Sequence, residues 1–111
     1  MRDDHKLLES AAKAAGIEGP VLLSEPSGHP YIATPGGVWN PLTDDGDALR
    51  MAVKLQLGIS VPPVVDGRVE VVTFYWPIIS IIEYPKAGGR CAATRRAIVR
   101  AAAEIGKARH A

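Results

Sequence analysis

Asp44, Asp45 and Asp47 crowd around Gly46, the densest group of potential metal ligands in the chain. A calcium loop of the EF-hand type alternates oxygen ligands about a central glycine and closes on a glutamate. This run has neither the alternation nor the closing acid. A helix start accounts for every residue in it. Thr43, Asp44 and Asp45 are successive N-cap candidates, whose side-chain oxygens accept from free first-turn N–H groups. The carboxylates also face the positive end of the helix dipole. No metal and no other cofactor is expected.

A second group is Gly88-Gly89-Arg90-Cys91, set just before a helical pattern. Free N–H groups at a helix start can hold an anion. The same dipole, with Arg90 beside it, would favour the Cys91 thiolate. A nucleophile also needs a base, and His5, His29 and His110 stand at no spacing that selects one of them. The plainer reading is a loop followed by a small buried cysteine. No catalytic residue is assigned, and the chain is read as a non-enzyme.

Charge is laid out unevenly. Residues 86–111 carry seven Lys and Arg against Glu104 alone, whereas the first 85 residues carry six basic and eleven acidic side chains. Overall the formal charge is only +1, so no global field argues for nucleic acid or a membrane. Arg90, Arg95, Arg96 and Arg100 are the candidate partner-binding cations, because a guanidinium fork can grip phosphate or carboxylate. No helix-turn-helix, zinc-finger or aromatic-basic signature accompanies them. Trp39, Phe74, Tyr75 and Trp76 are expected mainly in the core. Tyr75 and Trp76, next to Pro77, are the aromatic pair best suited to a partner surface.

The elements that would position these residues follow from periodicity. Leu7, Leu8, Ala11, Ala12 and Ala15 recur at helical spacing up to Gly16. Val21-Leu22-Leu23, Tyr31-Ile32-Ala33 and Val38-Trp39, separated by turn residues, predict a small antiparallel meander. Ala48 to Leu55 forms a central amphipathic helix after Pro41, with Gly58 as its expected stop. Ile59-Ser60-Val61 starts a strand, and Asp66-Gly67 predicts a two-residue hairpin. Strands are expected from Arg68 to Tyr75 and from Ile78 to Tyr84. The second is apolar on both faces, as in a central strand or one covered by an oligomer interface. Ala97, Ile98, Ala101, Ala102 and Ile105 mark one apolar face of a closing helix that starts between Arg90 and Ala93.

The chain is therefore expected to be a single small α+β domain spanning 1–111, an antiparallel sheet with three helices in the order α-β-β-β-α-β-β-β-α. One cysteine allows no internal disulfide, no hydrophobic run is long enough to span a bilayer, and a cytoplasmic location is expected.

Two segments, Trp39-Asn40-Pro41-Leu42-Thr43-Asp44-Asp45-Gly46-Asp47-Ala48-Leu49-Arg50 and the run from Ala92 to Gly106, resemble small phage and prophage proteins of unknown function. The layout is more distantly similar to the phage NinX-like family. There an aromatic-Asn-Pro or Asp-Pro step leads into a middle helix, and a short helix closes the chain. The resemblance implies a phage or prophage origin and a small α+β fold, and brings no catalytic residues. The leading expectation is an accessory protein that binds a protein partner. The alternative is nucleic-acid binding by the basic closing helix. Homo-oligomerisation is also open, given the many apolar strand positions.

Overall fold

A computed structural model describes residues 2–86 and 88–109. The order is α1 (Arg2–Ala15), β1 (Leu22–Leu23), β2 (Pro30–Thr34), β3 (Gly37–Trp39), α2 (Asp45–Lys54), β4 (Gly58–Ser60), β5 (Val69–Val72), β6 (Ser80–Glu83) and α3 (Gly89–Arg109). The strands form two antiparallel three-stranded sheets, β1-β2-β3 and β4-β5-β6. This is the expected α+β order. His110 and Ala87, named in the sequence reading as a candidate base and a loop residue, lie outside the described residues.

The architecture is built around α3. Its buried residues, Ala93, Ala97, Ile98, Val99, Ala101, Ala102, Ala103, Ile105 and Gly106, circle the helix instead of forming the single expected face. A helix apolar on all sides must be covered on all sides. α1 covers one side along its length, β5 and β6 another, and α2 a third. Alanines make the close approach possible. At Gly106 even a methyl group is excluded, because a Cβ there would overlap the Ser10 carbonyl oxygen of α1. Leu8, Ala11, Ala12 and Ala15 of α1, with Val69, Val71 and Ile81 of the second sheet, complete this core. Ile32 and Trp39 join it from the first sheet.

Helix ends follow from backbone chemistry. α1 closes with Gly16 in the left-handed region (φ +73°), Ile17 donating to Ala12 O at 2.9 Å and Gly16 to Lys13 O. This is the Schellman pattern, which satisfies carbonyls left over by the last turn. α2 ends the same way, but on Gln56 (φ 56°), with Leu57 donating to Ala52 O at 2.9 Å. The expected stop, Gly58, instead belongs to β4. A Cβ there would meet the Phe74 ring at 2.8 Å and Val72 Cγ2 at 3.0 Å, so glycine is what lets Phe74 lie flat on the strand.

The second sheet corrects three further expectations. Asp66-Gly67 does form a tight turn, Gly67 donating to Val64 O at 3.0 Å, but it sits inside a longer connection. β4 pairs with β5 from Ser60↔Glu70 onward, so the loop spans residues 61–68 and is not a two-residue hairpin. The strand expected from Arg68 to Tyr75 stops at Val72. The last strand covers Ser80–Glu83 and is an edge, with β5 in the centre. Its two-sided apolar character divides between Ile81, buried under α3, and Ile78, Ile82 and Tyr84, which are exposed. Among the described residues no helix is long and apolar enough to cross a membrane.

Candidate functional site

The sequence-predicted arginines are brought to one helix, and each is engaged inside the fold. Arg90 turns back from the start of α3 to the 61–68 loop. Its guanidinium donates to Pro62 O at 2.8 Å, Gly67 O at 3.1 Å and Val64 O at 3.2 Å. Arg95 donates to Leu42 O at 2.9 Å and pairs with Asp45 at 2.6 Å. Arg96 pairs with Asp4 of α1 at 2.9 Å. Arg100 pairs with Glu83 at the end of β6. Arg90 and Arg95 are engaged through two guanidinium nitrogens each, whereas the Arg96 and Arg100 side chains, 41% exposed, each use a single terminal nitrogen in their contacts.

The acidic run does what capping chemistry requires. Asp44 is the N-cap of α2, and its carboxylate accepts from Asp47 N at 2.8 Å. Asp47 in turn accepts from Asn40 N at 2.9 Å and from Arg50 at 2.7 Å, tying the strand end to the helix start. Among the described residues no three His, Cys, Asp or Glu side chains gather as for a metal. Cys91 is exposed, which corrects the expectation of a buried thiol. It lines an apolar groove of about 330 Å³ with Leu49, Ile59, Val61 and Ile98, and none of the described histidines lines that groove. Arg90 and Arg95 line the same groove, with the Arg90 guanidinium hydrogen-bonded to carbonyls of the 61–68 loop.

Aromatic residues give the most distinctive surface. Between β5 and β6 the chain turns through Phe74, Tyr75, Trp76, Pro77 and Ile78. The four large side chains are 66%, 64%, 66% and 75% exposed. Phe74, expected in the core, is thus on the surface with the others, because the strand ends before it. The turn is nonetheless held firmly. Thr73 N donates to Ile79 O at 2.9 Å. Thr73 Oγ1 donates to Pro77 O and accepts from Ile79 N, both at 2.7 Å. From the end of α3, Arg109 donates to Trp76 O at 3.2 Å. A small cavity of about 140 Å³ under the turn is lined by Lys54 and Arg109 and by no carboxylate. Monomeric proteins seldom expose so contiguous an apolar run unless it contacts something.

Two functional candidates escaped the sequence reading. Ile78 extends the aromatic turn, and the loss of alternation after Val72 was the available signal. The other is Asn40, 9% exposed, whose side-chain Oδ1 is buried without a hydrogen-bond partner. Only the tertiary structure shows that. Compared with protein-family models, curated proteins and solved structures, the chain has no match.

Proposed function

We propose that this chain is a phage or prophage accessory protein that works by binding a protein partner, not by catalysis, with the Phe74–Ile78 turn as its docking surface. The observation that carries the reading is a rigidly hydrogen-bonded turn presenting Phe74, Tyr75, Trp76 and Ile78 to solvent. Aromatic side chains carried on a fixed backbone cost less entropy to order on binding, and aromatic residues dominate the energetics of protein interfaces. Lys54, which donates to Ala15 O, and Arg109, which donates to Trp76 O, leave the surroundings of the turn positively charged and fit a partner whose apolar patch is rimmed by carboxylates. The phage assignment rests on the two segments that resemble phage proteins. The arginines of α3 enter as the frame that holds the surface in place.

The test is site-specific photo-crosslinking in the producing cell, with a photoreactive phenylalanine analogue at position 76 or, as control, at Lys13 on the exposed side of α1. A discrete crosslinked protein from position 76 only, lost on Tyr75→Ala with unchanged circular dichroism, is the expected result. Equal or absent crosslinking from the two positions would overturn the reading. A crosslink to a second copy of the chain would make the turn a self-association surface, checked by sedimentation equilibrium.

A further inference from the structure

A strand at the edge of an antiparallel sheet leaves every second residue with its N–H and C=O unused. In the second sheet β6 is such a strand, and its bonded and free residues can be told apart. Thr73 N donates to Ile79 O, so these two residues form a hydrogen-bonded pair. By alternation Val71↔Ile81 and Val69↔Glu83 are bonded pairs as well. Ser80 and Ile82, opposite Val72 and Glu70, therefore turn their main-chain groups away from β5. Arg100 Nη1 meets Ile82 O at 3.4 Å from the side of α3, as an outward carbonyl allows. A carbonyl has two lone pairs, so Ile82 O can accept a second donor.

Natural edges are commonly blunted by proline or lysine, and Ser80–Glu83 contains neither. Ser80 and Ile82 are exposed, and so are Ile78 and Tyr84, which continue the same alternation on either side. This edge is complementary to itself. Antiparallel pairing centred on Ile81 sets Ser80 against Ile82 of a second copy, and Ile82 against its Ser80. Both are outward residues, so each pair can exchange its N–H···O bonds in both directions. The same register places Ile78 beside Tyr84 of the other copy, covering apolar surface on both. Charge agrees with it. Arg100 reaches Ile82 and Glu83 while Arg109 reaches Trp76, so α3 runs antiparallel to β6 and crosses Ile81 shortly beyond Arg100. Glu104 stands one turn further along the same side of the helix. A two-fold axis at Ile81 therefore brings Arg100 of each copy toward Glu104 of the other.

We propose that the chain forms a two-fold dimer through the β6 edge, joining two β4-β5-β6 sheets into one across Ser80 and Ile82. The occupant of the edge is thus a second copy, selected by the matched apolar pairs and by Arg100 with Glu104. The inference goes beyond the partner reading, because main-chain pairing by the strand carries it and the tip of the aromatic turn at Phe74 and Tyr75 lies outside it.

Sedimentation equilibrium of the full chain, from micromolar to millimolar concentration, tests the proposal, and a monomer–dimer equilibrium is expected. Ile82→Pro removes an N–H that the β5 ladder does not use, so the variant should keep its circular dichroism. Its dimer dissociation constant should nonetheless rise by roughly tenfold or more, because both pairs across the axis lose a bond. Ile82→Val keeps the donor and should dimerise like wild type. Glu104→Arg, an exposed change away from the strand, should also weaken association, and more so at low salt. Tyr75→Ala, which removes the partner crosslink if the turn is the docking surface, should leave the dimer unchanged, so the two readings fail separately. A chain monomeric throughout, an Ile82→Pro chain that dimerises like wild type or fails to fold, or a Glu104→Arg chain that associates unchanged would each overturn the proposal.

Discussion

Replacing Gly106 by alanine tests the central packing of the fold at a single atom. The added Cβ would overlap the Ser10 carbonyl oxygen, stand 3.0 Å from the Ser10 carbonyl carbon and lie 3.4 Å from Ala14 N. Carbon atoms pack best at about 3.5–4.0 Å. The 3.0 Å contact alone therefore asks α1 to retreat by roughly 0.5–1 Å. A flexible side chain would swing aside, but the obstacle here is helix backbone, so the whole of α1 must shift against α3. Overpacking typically costs about 1–3 kcal/mol where side chains can yield, and this site belongs at or above the upper end. Alanine returns about 1 kcal/mol through its better helix propensity. The net expectation is a loss of about 2 kcal/mol or more.

For a chain of this size that is a fall in Tm of roughly 8–16 °C, out of a total stability on the order of 5–15 kcal/mol. Urea denaturation followed by circular dichroism measures it, with Gly46→Ala as the matched control. A Cβ at Gly46 meets only the ends of the Arg50 and Asp44 side chains, at 3.1–3.2 Å, and no backbone. Gly46→Ala should lie within about 1 kcal/mol of wild type, the gain in helix propensity being offset by strain on the Asp44 cap. A Gly106→Ala chain as stable as wild type would show that α1 does not press on α3 at that turn, and the reasoning would fail.

Gln56→Gly should stabilise the chain by about 0.5–1 kcal/mol in the same assay, because a left-handed φ strains any side chain and glycine alone adopts it freely. Asp44→Ala should lose about 1 kcal/mol with the N-cap of α2, and an unchanged denaturation midpoint would contradict the cap. Arg90→Ala should cost about 2 kcal/mol, since three loop carbonyls lose a charged donor, and amide exchange in residues 61–68 should accelerate. Asp66 accepts from the Arg68 backbone N–H and also faces the Arg68 guanidinium, which together hold its carboxyl below the usual aspartate range. Its contribution to stability is therefore complete above the unfolded-state pKa and disappears as pH falls through the lowered folded value. An NMR titration placing Asp66 at or above the usual aspartate value would refute the contact.

Element order was legible because each element carries its own local signal. Gly16 closes α1 where glycine is the residue that adopts a left-handed cap freely, and Asp44 caps α2 by a bond to a residue three positions on. The misreadings arose where the deciding neighbour is remote in sequence. Gly58 looked like a helix stop, yet its lack of a side chain serves the Phe74 ring on the far side of the hairpin. Gln56 gave no sign of accepting a strained φ, since the φ is imposed by the close that α2 makes through Leu57 N and Ala52 O, not by its own side chain. α3 read as one-sided because alanine is ambivalent. Whether Ala101, Ala102 and Ala103 face water or protein is settled by the elements that arrive around them. Asn40 was invisible as a candidate, because an unpaired acceptor is a property of the assembled core.

The charge split is the most instructive case. Along the chain, a basic last quarter against an acidic remainder suggests a surface waiting for a partner. In space the basic helix runs through the middle of the acidic elements. Arg95 meets Asp45, Arg96 meets Asp4 and Arg100 meets Glu83, so each guanidinium finds its carboxylate on a different element. Much of the asymmetry is thus complementarity within one domain, guiding α3 to its place between α1, α2 and β6. The pairs are partly exposed, each worth about 1 kcal/mol or less, so their value lies in register more than in stability. It follows that reversing Arg96 alone to Glu should destabilise the chain modestly, and that pairing it with Asp4→Arg should recover most of the loss. Failure of the double variant to recover would mean that the contact between Arg96 and Asp4 is incidental, and that the C-terminal cations are free to serve a ligand after all.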